Sequence, residues 1–130
     1  MSKKMYANFT LEKNFKKRLV AALRSGKYKQ TTGMLFDSSN GGFCCLGVMC
    51  SLRGATLDEM DGTPMPEELN NFSRLFNLYN NSAADDYFSS SHTWMVPYRG
   101  TMRFLSELND DDHLSFKQIA NIIERSVQTY

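Results

Sequence analysis

Apolar residues recur at helical spacing in a segment near the start of the chain. The spacing predicts a helix over residues 10–25, with Thr10 as its cap, Glu12 at the positive end of its dipole and Gly26 as a left-handed terminator. The apolar stripe of this helix is Leu11, Phe15, Leu19, Ala22 and Leu23. Its basic residues fall off the stripe, and we expect water to surround Lys13, Lys16, Lys17 and Arg24.

A second helical pattern closes the chain. Ser115 and Gln118 have the spacing of a capping box, and Leu114 and Ile119 have the spacing of a hydrophobic staple. The buried face predicted for this helix consists of Phe116, Ile119, Ala120, Ile123 and Val127. A shorter helix is predicted just before it, over residues 101–109, from the three-residue spacing of Met102, Leu105 and Leu108.

The segment that follows the first predicted helix lacks helical spacing, and it predicts a β-hairpin over residues 28–45. A strand over 32–36 precedes Asp, Ser, Asn and Gly residues typical of a turn, and residues 43–45 form the return. The apolar run 46–52 fits either a strand or a buried helix, because periodicity does not separate the two in so short a segment. We favour the helix, ending at Gly54.

The region that follows is predicted to be largely irregular. Residues 55–65 contain Gly and Pro, and Pro66 suits the first turn of a helix that carries Leu69 and Phe72 on its apolar face. Residues 77–93 are rich in Asn, Ser and Asp and predict a long loop. The whole pattern favours one α+β domain over residues 1–130: an N-terminal helix, a small antiparallel hairpin or sheet, and three or four packed helices.

Composition agrees with one globular domain and bears on where the protein is located. The 130 residues are 42% hydrophobic and 22% charged, which excludes a disordered tail. Disorder of residues 1–8 is left open. No apolar run approaches the roughly 18 residues that span a bilayer, so we expect a cytoplasmic protein with no membrane partner. The sequence points to no cofactor, and a homo-oligomer is left open.

The three cysteines lie close together and suggest reduced thiols. An odd number of cysteines within seven positions cannot form the disulfide framework of a secreted protein: Cys44, Cys45 and Cys50. If one of the paired thiols opened a helix, it could act as a nucleophile, with His92 and Asn109 following in the chain order of papain-like hydrolases. The opposing interpretation, which we favour, is that the cysteines are small core residues.

Basic residues are concentrated at the start of the chain. Residues 1–29 hold nine lysines and arginines against the single acidic residue Glu12, whereas the whole chain carries a formal net charge of only +1. The asymmetry fits either a basic binding face or a basic helix beside an acidic body. Overall neutrality disfavours a nucleic-acid partner, and too few residues follow the final helix for a helix-turn-helix unit.

Two further groups of residues could bind something other than nucleic acid. After the first helix, a short polar segment combines positive charge, an aromatic ring and an amide, which together could hold a nucleotide: Lys27, Tyr28, Lys29 and Gln30. Aromatics of the loop-like region 79–98 could anchor a protein partner: Tyr87, Phe88 and Trp94. The alternative is that Trp94 and Val96 fold back over the core. The run 110–113 offers Asp and His side chains, but adjacent residues do not converge on one ion, so no metal site is predicted.

Four segments resemble a family of small proteins found mostly in tailed-bacteriophage genomes. They are residues 23–30, the Cys-Cys-Leu-Gly-Val stretch within 42–50, the Leu-Asn-Asp at 108–110, and the Ile-Ala helix at 115–124. The resemblance spans roughly residues 19–125. It implies a phage origin and a fold, and it supplies no catalytic residue.

The resemblance also implies a mode of action. Small phage proteins outside the virion commonly act by binding, so we expect an accessory protein that inhibits a host antiviral-defence protein or sequesters a nucleotide signal in the host cytosol. The alternative is a small cysteine-dependent hydrolase. The loop over 77–93 departs from the family pattern, where a shorter connection is expected, and it contains the His92 that a hydrolase would need.

Overall fold

The computed structural model describes residues 5–69 and 94–130, and these residues form the α+β fold that the pattern predicts. In chain order the elements are β1 (Thr10–Leu11), α1 (Lys13–Arg24), β2 (Lys29–Gln30), β3 (Phe36–Asp37), β4 (Gly42–Phe43), α2 (Cys45–Leu52), α3 (Leu57–Met60), a 3₁₀ turn (Pro66–Glu68), β5 (Met95–Tyr98), β6 (Thr101–Phe104), α4 (Leu105–Asp110), α5 (Phe116–Ser126) and β7 (Gln128–Thr129).

Helix α1 begins later than predicted, because the residues before it join a sheet. Thr10 does not cap the helix: it lies in β1, which pairs in parallel with β7. The cap is Glu12, whose carboxylate accepts a hydrogen bond from the backbone N–H of Phe15 at 2.8 Å. At the other end Gly26 has a φ of +78°, the left-handed conformation predicted for it.

The strands after α1 form a mixed sheet in place of a simple hairpin. β3 and β4 are antiparallel, but the partner of β4 on its other side is β2, which runs parallel to it. The strand predicted over 32–36 is therefore wrong for most of its length, and β3 begins only at Phe36. The N–H of Leu35 bonds outside the β3–β4 pair, because it donates to the carbonyl of Thr63 at 2.7 Å.

The apolar run after β4 is a helix, as we favoured. Cys44 is the N-cap of α2, and the helix is followed by Gly54 with a φ of +105°. Gly47, the third residue of α2, lies directly against the backbone of Leu35, the residue before β3. A Cβ placed on Gly47 would stand 1.9 Å from the carbonyl oxygen of Leu35, so only glycine permits this approach.

Two elements differ from the expected irregular or helical structure. Residues 55–65 include the short helix α3, whose Thr56 and Glu59 form a capping box. The helix predicted over 101–109 is only half correct, because Met102 lies in β6 and the helix starts at Leu105. The hairpin β5–β6 forms its four-residue ladder through a turn at residues 99–100, and this long-range pairing outweighs the local helical spacing. Phe72 lies outside the described residues.

The final helix α5 closes the fold on α1. Its capping box of Ser115 and Gln118 is present, and its predicted apolar face is buried, with Ile119 and Ala120 fully excluded from solvent. The N-terminal segment is tied to the same region, since Ala7 donates to the carbonyl of Ser126 at 2.9 Å. The core therefore lies between α1, α2, α5 and the β5–β6 hairpin.

Replacing Gly47 by alanine tests the close approach of α2 to Leu35. We expect Gly47→Ala to lower the free energy of unfolding by at least about 2 kcal/mol, because the added methyl group meets backbone that has no room to move. Urea denaturation measures the change. Ser51→Ala in the same helix is the control and should shift stability by no more than about 0.5 kcal/mol; equal stability of both variants would contradict the contact.

Candidate functional site

The cysteines are interior groups. Cys44 is 5% exposed, and its sulfur accepts the N–H of Gly47 at 3.4 Å, which caps helix α2. Cys45 donates its thiol to the carbonyl of Leu105 at 3.6 Å. Burial, with a smaller contribution from the nearby charge of Asp110, raises the pKa of the Cys44 thiol to about 12 and the pKa of the Cys45 thiol well above its usual range. Neither thiol is an activated nucleophile at neutral pH.

The side chain of Asn109 joins three separate segments inside the molecule. It is 1% exposed. Its carbonyl oxygen accepts from the backbone N–H of Cys45 at 3.2 Å and from the amide of Gln30 at 2.9 Å. Its NH₂ group donates to the carbonyl of Thr31 at 2.8 Å, and the Gln30 amide also reaches the carbonyl of Leu114 at 2.8 Å. We call these contacts the Asn109 network.

This arrangement gives the cysteine-hydrolase alternative no support. Asn109 and Cys45 do come together, but through a backbone amide and not through the sulfur. The third residue of that hypothesis, His92, lies outside the described residues. Asn109 is occupied by structural hydrogen bonds, so it has no capacity left to orient a base.

The predicted ligand residues separate into two pairs. Lys27 and Tyr28 line a groove of about 320 Å³ beside the C-terminal half of α1, together with Arg18 and Ser25, and we call it the Tyr28 groove. Lys29 and Gln30 do not line this groove. The prediction was wrong for Gln30 as a ligand donor, because the Asn109 network uses its amide.

The Tyr28 groove has a fixed aromatic wall. The ring of Tyr28 packs edge-on against Phe43, with ring centroids 5.1 Å apart, and Phe43 in turn contacts Phe36. Arg18 reaches over the groove to donate to the carbonyl of Leu52 at 3.3 Å. Positive charge and an aromatic face therefore meet at one place on the surface.

A second groove, of about 430 Å³, follows the opposite flank of α1, and we call it the α1–α5 groove. Lysines and an arginine of α1 line one side and the end of the chain lines the other: Lys13, Lys16, Lys17, Val20, Ala21, Arg24, Glu124 and Thr129. Ala21 lines both grooves. The sequence predicts that these basic residues are exposed to solvent. It does not predict the groove, because the residues of the opposite wall lie about 100 positions later in the chain.

Two of the cations in the α1–α5 groove are engaged within the protein. Arg24 pairs with the carboxylate of Glu124 at 2.9 Å and donates to the side-chain carbonyl of Asn121 at 2.6 Å. The hydrogen bond from Arg24 lowers the pKa of Glu124. The ammonium of Lys16 donates to the carbonyls of Glu124 and Val127, where it meets the negative end of the α5 dipole.

The predicted aromatic partner surface is not upheld at Trp94. This residue is 1% exposed, and its ring stacks on Phe9 with centroids 5.9 Å apart. The tryptophan starts the β5–β6 hairpin and folds back over the core, so its apolar area stabilises the domain and is not offered to a partner. Tyr87 and Phe88 lie outside the described residues.

The residues after α4 form a structural turn. Asp112 receives two hydrogen bonds from Arg103, at 2.9 and 3.1 Å, which ties the turn to β6. Across residues 5–69 and 94–130, no three His, Cys, Asp or Glu side chains stand together in a way that would hold a metal ion. In the same part of the chain, no helix has the length and apolar character needed to cross a membrane.

Comparison with known proteins gives one match. A family model described as a domain of unknown function, DUF8296, matches residues 11–61, which is less than half of the chain. The matched stretch contains α1, the three-stranded sheet, α2 and α3, and with them the Tyr28 groove. Searches of curated proteins and of solved structures found no match.

The buried thiols predict a loss of stability in alkali. A thiol whose pKa is higher in the folded than in the unfolded chain binds more protons when folded. The contribution of the neutral thiol to the free energy of unfolding is therefore fully present below the pKa of the unfolded chain, near 8.5. It is lost as the pH rises toward the pKa of the folded chain. For Cys44, with a folded pKa of about 12, the unfolding free energy should fall by about 1.4 kcal/mol per pH unit above roughly pH 9.

The control for this measurement is Cys44→Ser, which keeps a capping oxygen and does not ionise in this range. Urea denaturation between pH 8 and 10 should give a shallower decline for the variant than for the parent chain. Rapid alkylation of Cys44 in the folded protein at pH 8 would instead mean an accessible thiolate, which contradicts the burial.

The Asn109 network predicts a large cost for its removal. Asn109→Leu should destabilise the fold by about 2–4 kcal/mol, because the N–H of Cys45 and the carbonyl of Thr31 lose their partners inside the core. Thermal and urea unfolding measure this. Asn121→Leu, at an exposed amide of α5, is the matched control with an expected change of about 1 kcal/mol or less, and equal losses in the two variants would contradict the network.

Proposed function

We propose that this chain is a binding protein that holds a nucleotide in the Tyr28 groove. The observation that carries the proposal is the meeting of Arg18, Lys27 and the ring of Tyr28 around one concave surface. Guanidinium and ammonium groups are the donors that phosphate oxygens prefer, and an aromatic ring offers a face or edge to a base. Burial of the thiols makes recognition a better-supported activity than covalent attack.

The dimensions and rigidity of the groove support a small ligand. Its volume of about 320 Å³ falls at the lower end of the range for small-molecule sites. The ring of Tyr28 is held by Phe43, so a stacked base would find its partner already oriented. Ser25 adds a hydroxyl beside the two cations, although that hydroxyl already donates to the carbonyl of Ala22 at 2.7 Å.

The biological setting of the proposal comes from the resemblance to small bacteriophage proteins. In that setting the chain is an accessory protein of infection that acts in the host cytosol. Binding of a nucleotide signal would withdraw that signal from an antiviral defence of the host. The proposal requires only affinity and abundance, since sequestration follows from mass action.

A nucleotide titration tests the Tyr28 groove. The probes are nucleoside mono-, di- and triphosphates and cyclic dinucleotides, added to the full chain and followed by calorimetry and by amide NMR shifts. We expect at least one nucleotide to shift the amides of Lys27 and Tyr28. Lys27→Glu should weaken that nucleotide by about tenfold or more, which is the effect of losing one charge-assisted contact.

Two matched variants separate stacking from charge. Tyr28→Phe keeps the ring and should retain most of the affinity, whereas Tyr28→Leu removes the ring and should lose about tenfold, because a base–aromatic contact contributes on the order of 1–3 kcal/mol. Lys117→Glu reverses an exposed lysine outside both grooves and should leave binding within about twofold. The proposal fails if no probe moves the groove amides, or if Lys117→Glu weakens binding as much as Lys27→Glu does.

A further inference from the structure

The α1–α5 groove contains two cations that the described residues leave without a counter-charge. Lys13 and Lys17 are exposed, and within residues 5–69 and 94–130 neither side chain makes an ion pair or a hydrogen bond. They are four residues apart on α1, so their Cα atoms are about 6 Å apart along the helix axis and both ammonium groups rise from one face. Lys16 and Arg24, by contrast, are held by α5 and the residue that follows it.

The floor of the groove beyond these two cations is apolar and has only short side chains. Ala21 is exposed on the same face of α1, one turn beyond Lys17, and Val20 lies beside it. A small side chain at this position lets another backbone approach α1 closely. The aliphatic stems of the lysines extend the apolar surface on either side while their charged ends stay at the rim.

One cation of the groove already binds a carboxylate of a helix. At its far end Arg24 binds a carboxylate and an amide, Glu124 and Asn121, which lie three residues apart on helix α5. The Glu124 carboxylate at the same end repels negative charge of any kind, so an occupant must place its acids beside Lys13 and Lys17 and not along its whole length, as a chain of phosphates would. An acidic protein segment with apolar residues between its acids fits this combination better than nucleic acid does, and a helix presents acids at the four-residue spacing that matches Lys13 and Lys17.

We propose that the α1–α5 groove is a docking surface for an acidic amphipathic helix of a partner protein. Acids of that helix pair with Lys13 and Lys17, and its apolar residues cover Ala21. This surface is separate from the Tyr28 groove, and the proposal does not depend on nucleotide binding there. The two sites share only Ala21 among their lining residues, so each can be tested alone.

A designed peptide tests the docking surface on the full chain. The probe is a capped helical peptide of alanine, leucine and glutamate with glutamates four residues apart, and the matched control peptide has glutamine at every glutamate. Amide NMR shifts locate binding, and fluorescence anisotropy of a labelled peptide measures affinity at low salt. We expect the glutamate peptide to shift the amides of Lys13, Lys17 and Ala21, and the glutamine peptide to bind about tenfold more weakly or not at all.

Charge reversal on the protein supplies the complementary test. The double variant Lys13→Glu, Lys17→Glu should weaken the glutamate peptide by about tenfold or more, whereas Lys117→Glu should change its affinity by no more than about twofold. Circular dichroism and urea denaturation of each variant confirm that the fold is intact, which exposed positions favour. Nucleotide binding at the Tyr28 groove should survive the double variant.

Three results would overturn the proposal. One is the absence of any shift at these amides with the glutamate peptide. Another is tighter binding of inorganic tripolyphosphate or of a single-stranded oligonucleotide at the same residues, which would assign the groove to phosphate. The third is concentration-dependent dimerisation of the chain that the double variant abolishes, which would assign the groove to a second copy.

Discussion

The amide of Asn109 is the interaction on which the centre of this fold depends. It lies inside the protein and hydrogen-bonds the start of α2, the residues at β2 and its own neighbour in α4. The N–H of Cys45 is buried and needs a partner within the protein, and the same Asn109 side chain also binds the partly buried groups at β2. The geometry places Cys45 beneath α4 and keeps its thiol away from solvent.

Burial of the Cys-Cys-Leu-Gly-Val segment follows from this centre and decides which chemistry is open to the protein. Every residue of the segment has a structural contact: Cys44 caps the helix, and Gly47 lies against Leu35. Thiols held in this way have raised pKa values, so they behave as small apolar groups. The sulfur-rich segment thus contributes to stability, and the binding that we propose is assigned to the surface.

That surface is the outer side of α1. The inner side of the helix packs against α2 and α5, while the outer side has a groove along each flank. One groove combines cations with an aromatic ring, and the other combines cations with an apolar floor and a helix carboxylate. The difference in lining is the physical basis for proposing a nucleotide in the first and an acidic helix in the second. A single basic helix can serve both because its charges lie on both edges of its exposed face.

Features that depend on near neighbours along the chain can be predicted from the amino-acid pattern. The capping box of α5, the left-handed Gly26 and the interior cysteines are present as predicted. The predicted stripe of α1 is present at Phe15, Leu19 and Leu23, whereas Leu11 lies in β1 and Ala22 is only partly buried. The candidate site was only partly accessible in this way. Lys27 and Tyr28 are predicted ligand residues and do line a groove, but Arg18, which lies on α1 nine positions before Lys27, is not singled out by the sequence.

The remaining features join residues that are distant in sequence, so they emerge only when the chain folds. Thr10 enters a strand because β7 pairs with it, and Met102 does so because β5 lies alongside. The side-chain N–H of Gln30 is not available to a ligand because it donates a hydrogen bond to Asn109, 79 positions later in the chain. Trp94 lies in the interior, where its ring stacks on Phe9. The α1–α5 groove forms because the end of the chain returns to α1. Local spacing has no information about such partners, since their proximity is produced by folding itself.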